Sequence, residues 1–292
     1  MLMKSPVKRV AAIHDLSGIG HVSLTAVIPI LSAMGIQVCP LPTAVLSAHS
    51  RYQAFHFVDL TDHVPAFIDH WKRLGISFHA IYSGFLGSHR QIRMVEEMIA
   101  AFRHEELLVA VDPVMGDDGK LYGPMKPEMV NEMRQLIGRA DLITPNLTEA
   151  AFLLGKEPPA QIGIQELKDW IRKLSEMGPG MVVVTSVPDQ DSGKRTSVIA
   201  YNRQDKRFWR VSCDYLPADY PGTGDCFASV LVGSLLQGDS LPVALDRAVH
   251  FISSGVRTTF GYNYDPNEGI MLERILNTLN MPVNNGSYQI LD

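Results

Sequence analysis

Residues 107–119 read Leu-Leu-Val-Ala-Val-Asp-Pro-Val-Met-Gly-Asp-Asp-Gly. Five apolar residues in a row, ending at a carboxylate and a proline, are too few for a buried helix and the right length for a strand covered on both faces. The flanking stretches at 88–103 and 126–137 place apolar residues at helical spacing. The same pairing recurs outward in both directions. Short apolar runs at 10–13, 38–46, 80–82, 142–143 and 181–185 predict further strands, and 23–34, 63–74 and 164–177 predict further helices. Strand alternating with helix implies right-handed βαβ units and an α/β fold, with a mainly parallel central sheet covered on both faces.

Past residue 184 the pattern changes. Segments 197–201 and 207–211 alternate apolar and polar residues about a polar 202–206, as an antiparallel hairpin would. Helices are predicted at 225–236 and 241–259, and a short one at 270–279, before a polar tail, 280–292, expected to fray. No repeat, low-complexity tract or linker divides the chain, so residues 1–292 are read as a single domain.

Composition narrows the function. The 292 residues carry 26 Lys plus Arg against 31 Asp plus Glu, a formal charge of −5, which argues against a dedicated nucleic-acid binder. Apolar residues at 46% and charged residues at 20% are those of a soluble globular protein. No uninterrupted apolar run comes near the roughly 18 residues a transmembrane helix needs, so no membrane association is expected. The opening MLMKSPVKRV has charges but no apolar h-region, so no secretory signal is expected. Cys39, Cys213 and Cys226 are odd in number and form no CxxC, which excludes a disulfide framework and a zinc knuckle. Cytoplasm is the default compartment.

Ligands of open parallel sheets bind outside the carboxyl ends of the strands, so the residues after each strand matter most. After the first comes Asp15-Leu16-Ser17-Gly18-Ile19-Gly20-His21. Its G-x-G invites a dinucleotide fingerprint, but Ser23 takes the third glycine position and strand 37–41 ends in prolines instead of a ribose-binding carboxylate. A tight strand-to-helix turn is the better reading. Asp15 either faces the cleft or caps the next helix. After the second strand, Ser47, His49 and Ser50 line a small-molecule pocket or close a turn.

The acidic loop with Asp112 and Asp117 is an Asx-rich turn, or a carboxylate cluster holding Mg²⁺ through waters beside nucleotide phosphates. In Thr144-Pro145-Asn146-Leu147-Thr148-Glu149, the proline stops a strand, and Asn146 with Glu149 fits a capping box. Glu149 also lies on the edge that carries Asp112 and Asp117, where it could reach a metal. The sharpest segment is Asp219-Tyr220-Pro221-Gly222-Thr223-Gly224-Asp225-Cys226. Its two glycines let backbone N–H groups converge at a helix N-terminus, an anion hole for a transferring phosphoryl group, with Asp225 at the mouth as general base. Met94, Met98, Met129 and Met133 sit at helical spacing and read as core.

The combination Thr144-Pro145-Asn146…Glu149 with Gly222-Thr223-Gly224-Asp225 resembles the ribokinase-like superfamily of small-molecule kinases. Leu46-Ser47-Ala48-His49-Ser50, Ser83-Gly84-Phe85-Leu86-Gly87-Ser88 and Asp112-Pro113-Val114-Met115-Gly116-Asp117 narrow the resemblance to the pyridoxal kinase family. The matches run in consistent order over roughly residues 8–260. The resemblance implies a three-layer αβα sandwich, usually a homodimer. It also implies ATP-dependent phosphorylation of the 5′-hydroxymethyl group of pyridoxal, pyridoxamine or pyridoxine, with Mg²⁺ and a monovalent cation such as K⁺. By the same resemblance Asp225 is the catalytic base, and the amides of Gly222, Thr223 and Gly224 form the anion hole. Asp112, Asp117, Thr144, Asn146, Glu149 and Thr185 meet ATP, its metal or the cation, with Asp117 and Glu149 acting on the metal through water. Asp15, Ser47, His49, Ser50 and Phe85 meet the substrate ring.

One departure bears on the substrate. Where the family often has Gln-Ser-His, this chain has His14-Asp15-Leu16, and Asp15-Leu16-Ser17-Gly18 resembles the Asp-Pro-Ser-Gly loop of hydroxymethylpyrimidine kinases of thiamine biosynthesis. Those usually carry Cys after Gly-Thr-Gly, where this chain keeps Asp225. A B6-vitamer kinase is therefore the leading reading. A hydroxymethylpyrimidine kinase and a non-catalytic binder of B6 vitamers are the alternatives.

Overall fold

A computed structural model describes residues 6–188, 195–281 and 286–291 of the chain. Its strands are β1 (Arg9–Ser17), β2 (Gln37–Leu46), β3 (Phe57–Asp59), β4 (Ala80–Ser83), β5 (Leu108–Val111), β6 (Gly116–Asp117), β7 (Lys120–Leu121), β8 (Leu142–Ile143), β9 (Met181–Pro188), β10 (Arg195–Asn202), β11 (Arg207–Asp214) and β12 (Gln289–Leu291). Ten of them form one sheet in the order β12-β11-β10-β9-β8-β5-β4-β1-β2-β3, while β6 and β7 pair separately. The six central strands, β9 to β2 in that order, are parallel, and the pairs at both ends are antiparallel.

Strand alternation divides the interior into two cores. In β5, Val109 and Val111 face one side and Ala110 the other; β1 splits Ala11 and Ile13 from Val10 and Ala12 in the same way. The first core is covered by α2 (Val64–Arg73), α3 (His89–Phe102), α4 (Pro127–Ile137), α5 (Leu147–Leu153) and α6 (Ile164–Glu176). The second is covered by α1 (Ser23–Ala33), α7 (Thr223–Gln237) and α8 (Leu241–Phe260). This is the expected three-layer αβα sandwich. After β1 the chain goes to β2 on one side and returns to β4 on the other. That reversal opens a crevice at the carboxyl ends of β1 and β4.

Four features differ from the sequence expectation. Strand β2 fills the predicted run 38–46 and does not stop at its prolines, as the 37–41 reading had it. Gln37 N donates to Lys8 O of the preceding segment, so alternation turns the nitrogens of Pro40 and Pro42 to the other side, which β3 leaves unpaired until Ala44. The 270–279 segment is not an α-helix but two 3₁₀ turns, Leu272–Arg274 and Leu276–Asn280. Its buried side chains fall at 270, 272, 275 and 279, and the two-residue step breaks the α period. Strand β3 is three exposed residues, too short to carry a pattern. In the tail read as frayed, Gln289–Leu291 pairs with β11, and Ser287 donates to the buried Asp246 from its amide (2.8 Å) and hydroxyl (2.6 Å). Residues 282–285 and 292 of that tail lie outside the described residues. Among the described residues, no helix is long and apolar enough to cross a membrane.

Candidate active site

The acidic loop after β5 is an ordered ribbon. Asp118 and Gly119 both take left-handed backbone (φ 48° and 76°), the conformation a two-residue hairpin turn requires, and β6 pairs with β7 around them. Asn146 Nδ2 donates to Gly116 O (2.9 Å), and Gly119 N donates to Thr148 Oγ1 (3.0 Å), pinning the ribbon to α5. The capping box forms as the spacing predicted. Glu149 N donates to Asn146 Oδ1, and Asn146 N donates to Glu149 Oε2, both at 2.9 Å. Glu149 Oε1 also accepts from Met115 N at 3.0 Å, so amides engage both carboxylate oxygens.

Asp112 stands at the end of β5, buried, with Thr144 Oγ1 donating to Oδ1 at 2.9 Å. Burial, with the Asp225 charge behind it, pushes the Asp112 carboxyl up to about 7, although Thr144 pulls the other way. Burial and the Asp112 charge push Glu149 up as well. Asp117 is exposed on the ribbon, and partial desolvation raises its pKa. Thr185 continues the strand edge: it bridges Asn146, and its N–H donates to Pro145 O at 3.0 Å.

Opposite lies the start of α7. Gly222 has φ 81°, and a Cβ there would stand 2.0 Å from His21 O. Cys226 N makes the first helical bond, to Gly222 O. Among the described residues the amides of Gly222, Thr223, Gly224 and Asp225 have no hydrogen-bond acceptor, so the row the motif implied is free and Asp225 extends it. A Cβ on Gly224 would lie 3.9 Å from Asp112 Oδ2, so the helix start and the β5 carboxylate face each other.

Asp225 Oδ2 accepts from Ser23 N at 2.8 Å. Ser23 is held in a left-handed conformation (φ 49°) to do so, and its hydroxyl donates to Asp15 Oδ1 at 2.7 Å. Burial raises the Asp225 pKa to about 7; the Asp15 charge adds to the rise and the Ser23 amide opposes it.

The ring-side candidates separate. Asp15 belongs to β1 and receives Ser17 Oγ (3.1 Å) and Ser23 Oγ; the N-cap of α1 is Val22, so the capping alternative for Asp15 is not realised. Ser47 Oγ accepts from His56 N (2.8 Å), and His49 is buried with Nε2–H donating to Asn267 O (2.6 Å). Both side chains therefore hold turns at the cleft rim. Ser50 is exposed, and Phe85 is half-buried against the first core.

Four residues at the site have no role assigned by the motifs: His14, Ser23, Tyr82 and Gly84. His14 Nδ1 lies 3.7 Å from Asp225 Oδ1, and Tyr82 OH donates to Asp225 O at 3.4 Å. The parallel pairing of β1 with β4 sets them side by side beneath Asp225. Their one local signal is a polar residue at a strand's carboxyl end.

A model of a family described as phosphomethylpyrimidine kinase matches residues 26–269. The chain is 31% identical over 235 residues to the pyridoxal kinase PdxY of Rubrobacter xylanophilus, covering 77% of this chain and 79% of that one. A Bacteroides thetaiotaomicron protein, provisionally called a phosphomethylpyrimidine kinase and crystallised with pyridoxal, is 57% identical, with a TM-score of 0.95 over 98% of this chain and all of that one. Pyridoxal kinase from Lactobacillus plantarum is 31% identical, with a TM-score of 0.85 over 94% of this chain and 97% of that one. With the fold, the paired carboxylates and the α7 amide row in place, these likenesses establish that the chain belongs to the pyridoxal kinase family of the ribokinase-like superfamily.

Proposed function

We propose that this chain is an ATP-dependent kinase that phosphorylates the 5′-hydroxymethyl group of a B6 vitamer: pyridoxal, pyridoxamine or pyridoxine. The observation that carries the reading is the Asp225 carboxylate, held by the Ser23 amide at the mouth of a row of acceptor-free amides. Asp225 accepts the hydroxyl proton as the oxygen attacks the γ-phosphorus. The amides of Gly222, Thr223 and Gly224 stabilise the charge developing on the phosphoryl oxygens. ATP lies along the carboxyl ends of β5, β8 and β9, against Asp112, Thr144, Asn146 and Thr185. Asp15, Ser47, His49, Ser50 and Phe85 border the acceptor ring.

Mg²⁺ belongs to the proposal, with Asp117 and Glu149 as its protein side. Among the described residues no group of three or more His, Cys, Asp or Glu side chains converges as a metal cage. Both Glu149 oxygens already accept amides, a donor set that fits contact through water. When bound, the ion neutralises phosphate charge. K⁺ beside Thr144, Asn146 and Glu149, a cytoplasmic location and a homodimer complete the reading.

The test is ADP release with MgATP and four separate acceptors: the three vitamers and hydroxymethylpyrimidine. Asp225→Ala is expected to fold and bind ATP while losing about 10²–10³ in turnover with every acceptor. Near-parental turnover by that variant would overturn the base assignment. The second reading, a hydroxymethylpyrimidine kinase, draws on the described name of the matching family and on Asp15, a ring-side carboxylate suited to an aminopyrimidine. Turnover confined to the pyrimidine would establish it instead. No ADP release with any acceptor would favour a binding protein.

A further inference from the structure

His14 plays no part in the proton transfer above, yet it is enclosed directly beside it. Its ring is fully buried on β1 and meets Tyr82 edge-on, with centroids 4.5 Å apart. Among the described residues neither ring nitrogen has a hydrogen-bond partner. A buried imidazole with both nitrogens unsatisfied requires an explanation, because burial takes both nitrogens from bulk solvent without a protein group in its place. Nδ1 lies 3.7 Å from Asp225 Oδ1, just beyond hydrogen-bond range. The other oxygen, Oδ2, is taken by Ser23 N, which leaves Oδ1 to the ring and the cleft.

We propose that His14 is a positioning residue for Asp225: its neutral ring donates Nδ1–H to Oδ1 when the acceptor alcohol is bound, fixing the carboxylate and keeping it ionised until it takes the hydroxyl proton. The inference rests on Asp225 being the base. Catalytic hydrogen bonds are often long before ligands bind and tighten in the complex. Burial holds the His14 pKa down to about 3, so the ring carries no second proton at neutral pH and serves as a donor, not a relay. The other titratable groups around Asp225 cannot fill this role. Asp15 has both carboxylate oxygens occupied by Ser17 Oγ and Ser23 Oγ, an ionised Asp112 has no proton to donate, and the acceptor of Tyr82 OH is the Asp225 carbonyl. A donor to the carboxylate opposes the rise that burial imposes on Asp225.

Three variants separate donation from packing. His14→Asn puts an amide nitrogen near the Nδ1 position, His14→Gln puts it near the Nε2 position, and His14→Phe keeps a ring and removes both. The readouts are kcat, KM for MgATP and for the vitamer, and the pH dependence of kcat, with Asp225→Asn alongside. His14→Phe and His14→Gln are expected to lose about tenfold in kcat with KM values within about twofold. Their acid limb should move up by about half a pH unit or more. His14→Asn should keep kcat within about threefold and the parental limb. Parental kcat and limb in His14→Phe, or equal behaviour of the Asn and Gln variants, would overturn the proposal. If His14→Phe does not fold, the Asn–Gln contrast decides alone. Turnover by Asp225→Asn would overturn the base assignment and this role together. An inactive Asp225→Asn beside an unperturbed His14→Phe would overturn this role only.

Discussion

Gly84 follows β4 and lies against the His14 imidazole: a Cβ there would sit 2.4 Å from Nδ1 and 3.5 Å from Asp225 Oδ1. The residue has no left-handed backbone to protect, so only space forbids a side chain. The neighbour cannot swing aside, because His14 is fully buried against Tyr82. Gly84→Ala is therefore expected to lose about 1–3 kcal/mol of stability by overpacking, and to lose turnover even where it folds, because a Cβ that close drives Nδ1 away from Asp225 Oδ1. Thermal unfolding and kcat, measured on the same preparation, check both halves; unchanged values would mean that the ring is free to move. Asp225 and its glycines are legible in sequence because they form one local string with a recognisable backbone demand. Ser23, which donates to Asp225 from 202 positions away, carries no such string. Its left-handed φ is imposed by the contact, not announced by the residue type. Phe85 and Ser50 remain matched by resemblance alone, since among the described residues neither makes a polar contact that defines its part.

Helix α7 has a positive-φ glycine at each end, Gly222 (φ 81°) and Gly238 (φ 98°), and they make an internal comparison. A Cβ on Gly238 meets nothing within 4 Å, whereas one on Gly222 would stand 2.0 Å from His21 O and 3.0 Å from Val22 Cα. Alanine at 238 should thus cost only the backbone strain, on the order of 1–2 kcal/mol. Alanine at 222 adds a collision with the main chain that sets the entry of α1 and hence Ser23. Gly222→Ala is expected to be destabilised by at least about 2 kcal/mol and to lose turnover, while Gly238→Ala keeps its activity. Denaturant unfolding with kinetics on both variants checks this, and equal behaviour would remove the close approach as a cause. At this scale the sequence was read well where one element buries one stripe: α3 begins at its Ser88 cap, and α6 starts at Ile164 as expected. Elements shaped by partners were less visible. Strand β2 runs past two prolines because its neighbour covers only part of one edge, and the β6–β7 ribbon looked like loop because four paired residues show no period.

Across the whole molecule, the sandwich collects carboxylates from β1, β5, α5 and α7 at one sheet edge, and folding shields them from water. Asp112 and Asp225 are both raised to about 7, against about 4 in an unfolded chain. The raised values set the sign. Between about pH 4 and 7 the unfolded chain releases these protons while the folded one retains them, so stability falls as pH rises through that window, by on the order of 1 kcal/mol per pH unit for each group. Above about pH 7 the loss is complete. The proton acceptor in turnover is the ionised Asp225, so kcat should rise over an acid limb near 7 and plateau where these two groups stabilise the fold least. Asp225→Asn isolates this trade. The amide oxygen can still accept Ser23 N, but the position no longer titrates, and Asp112 loses its charged neighbour. Its melting temperature relative to the parent should therefore be higher at pH 8 than at pH 5, while its turnover is lost at both. Differential scanning calorimetry of both proteins at the two pH values measures the difference directly. A gap independent of pH would mean that Asp225 titrates in the folded protein as it does in water, and that the cleft does not desolvate it.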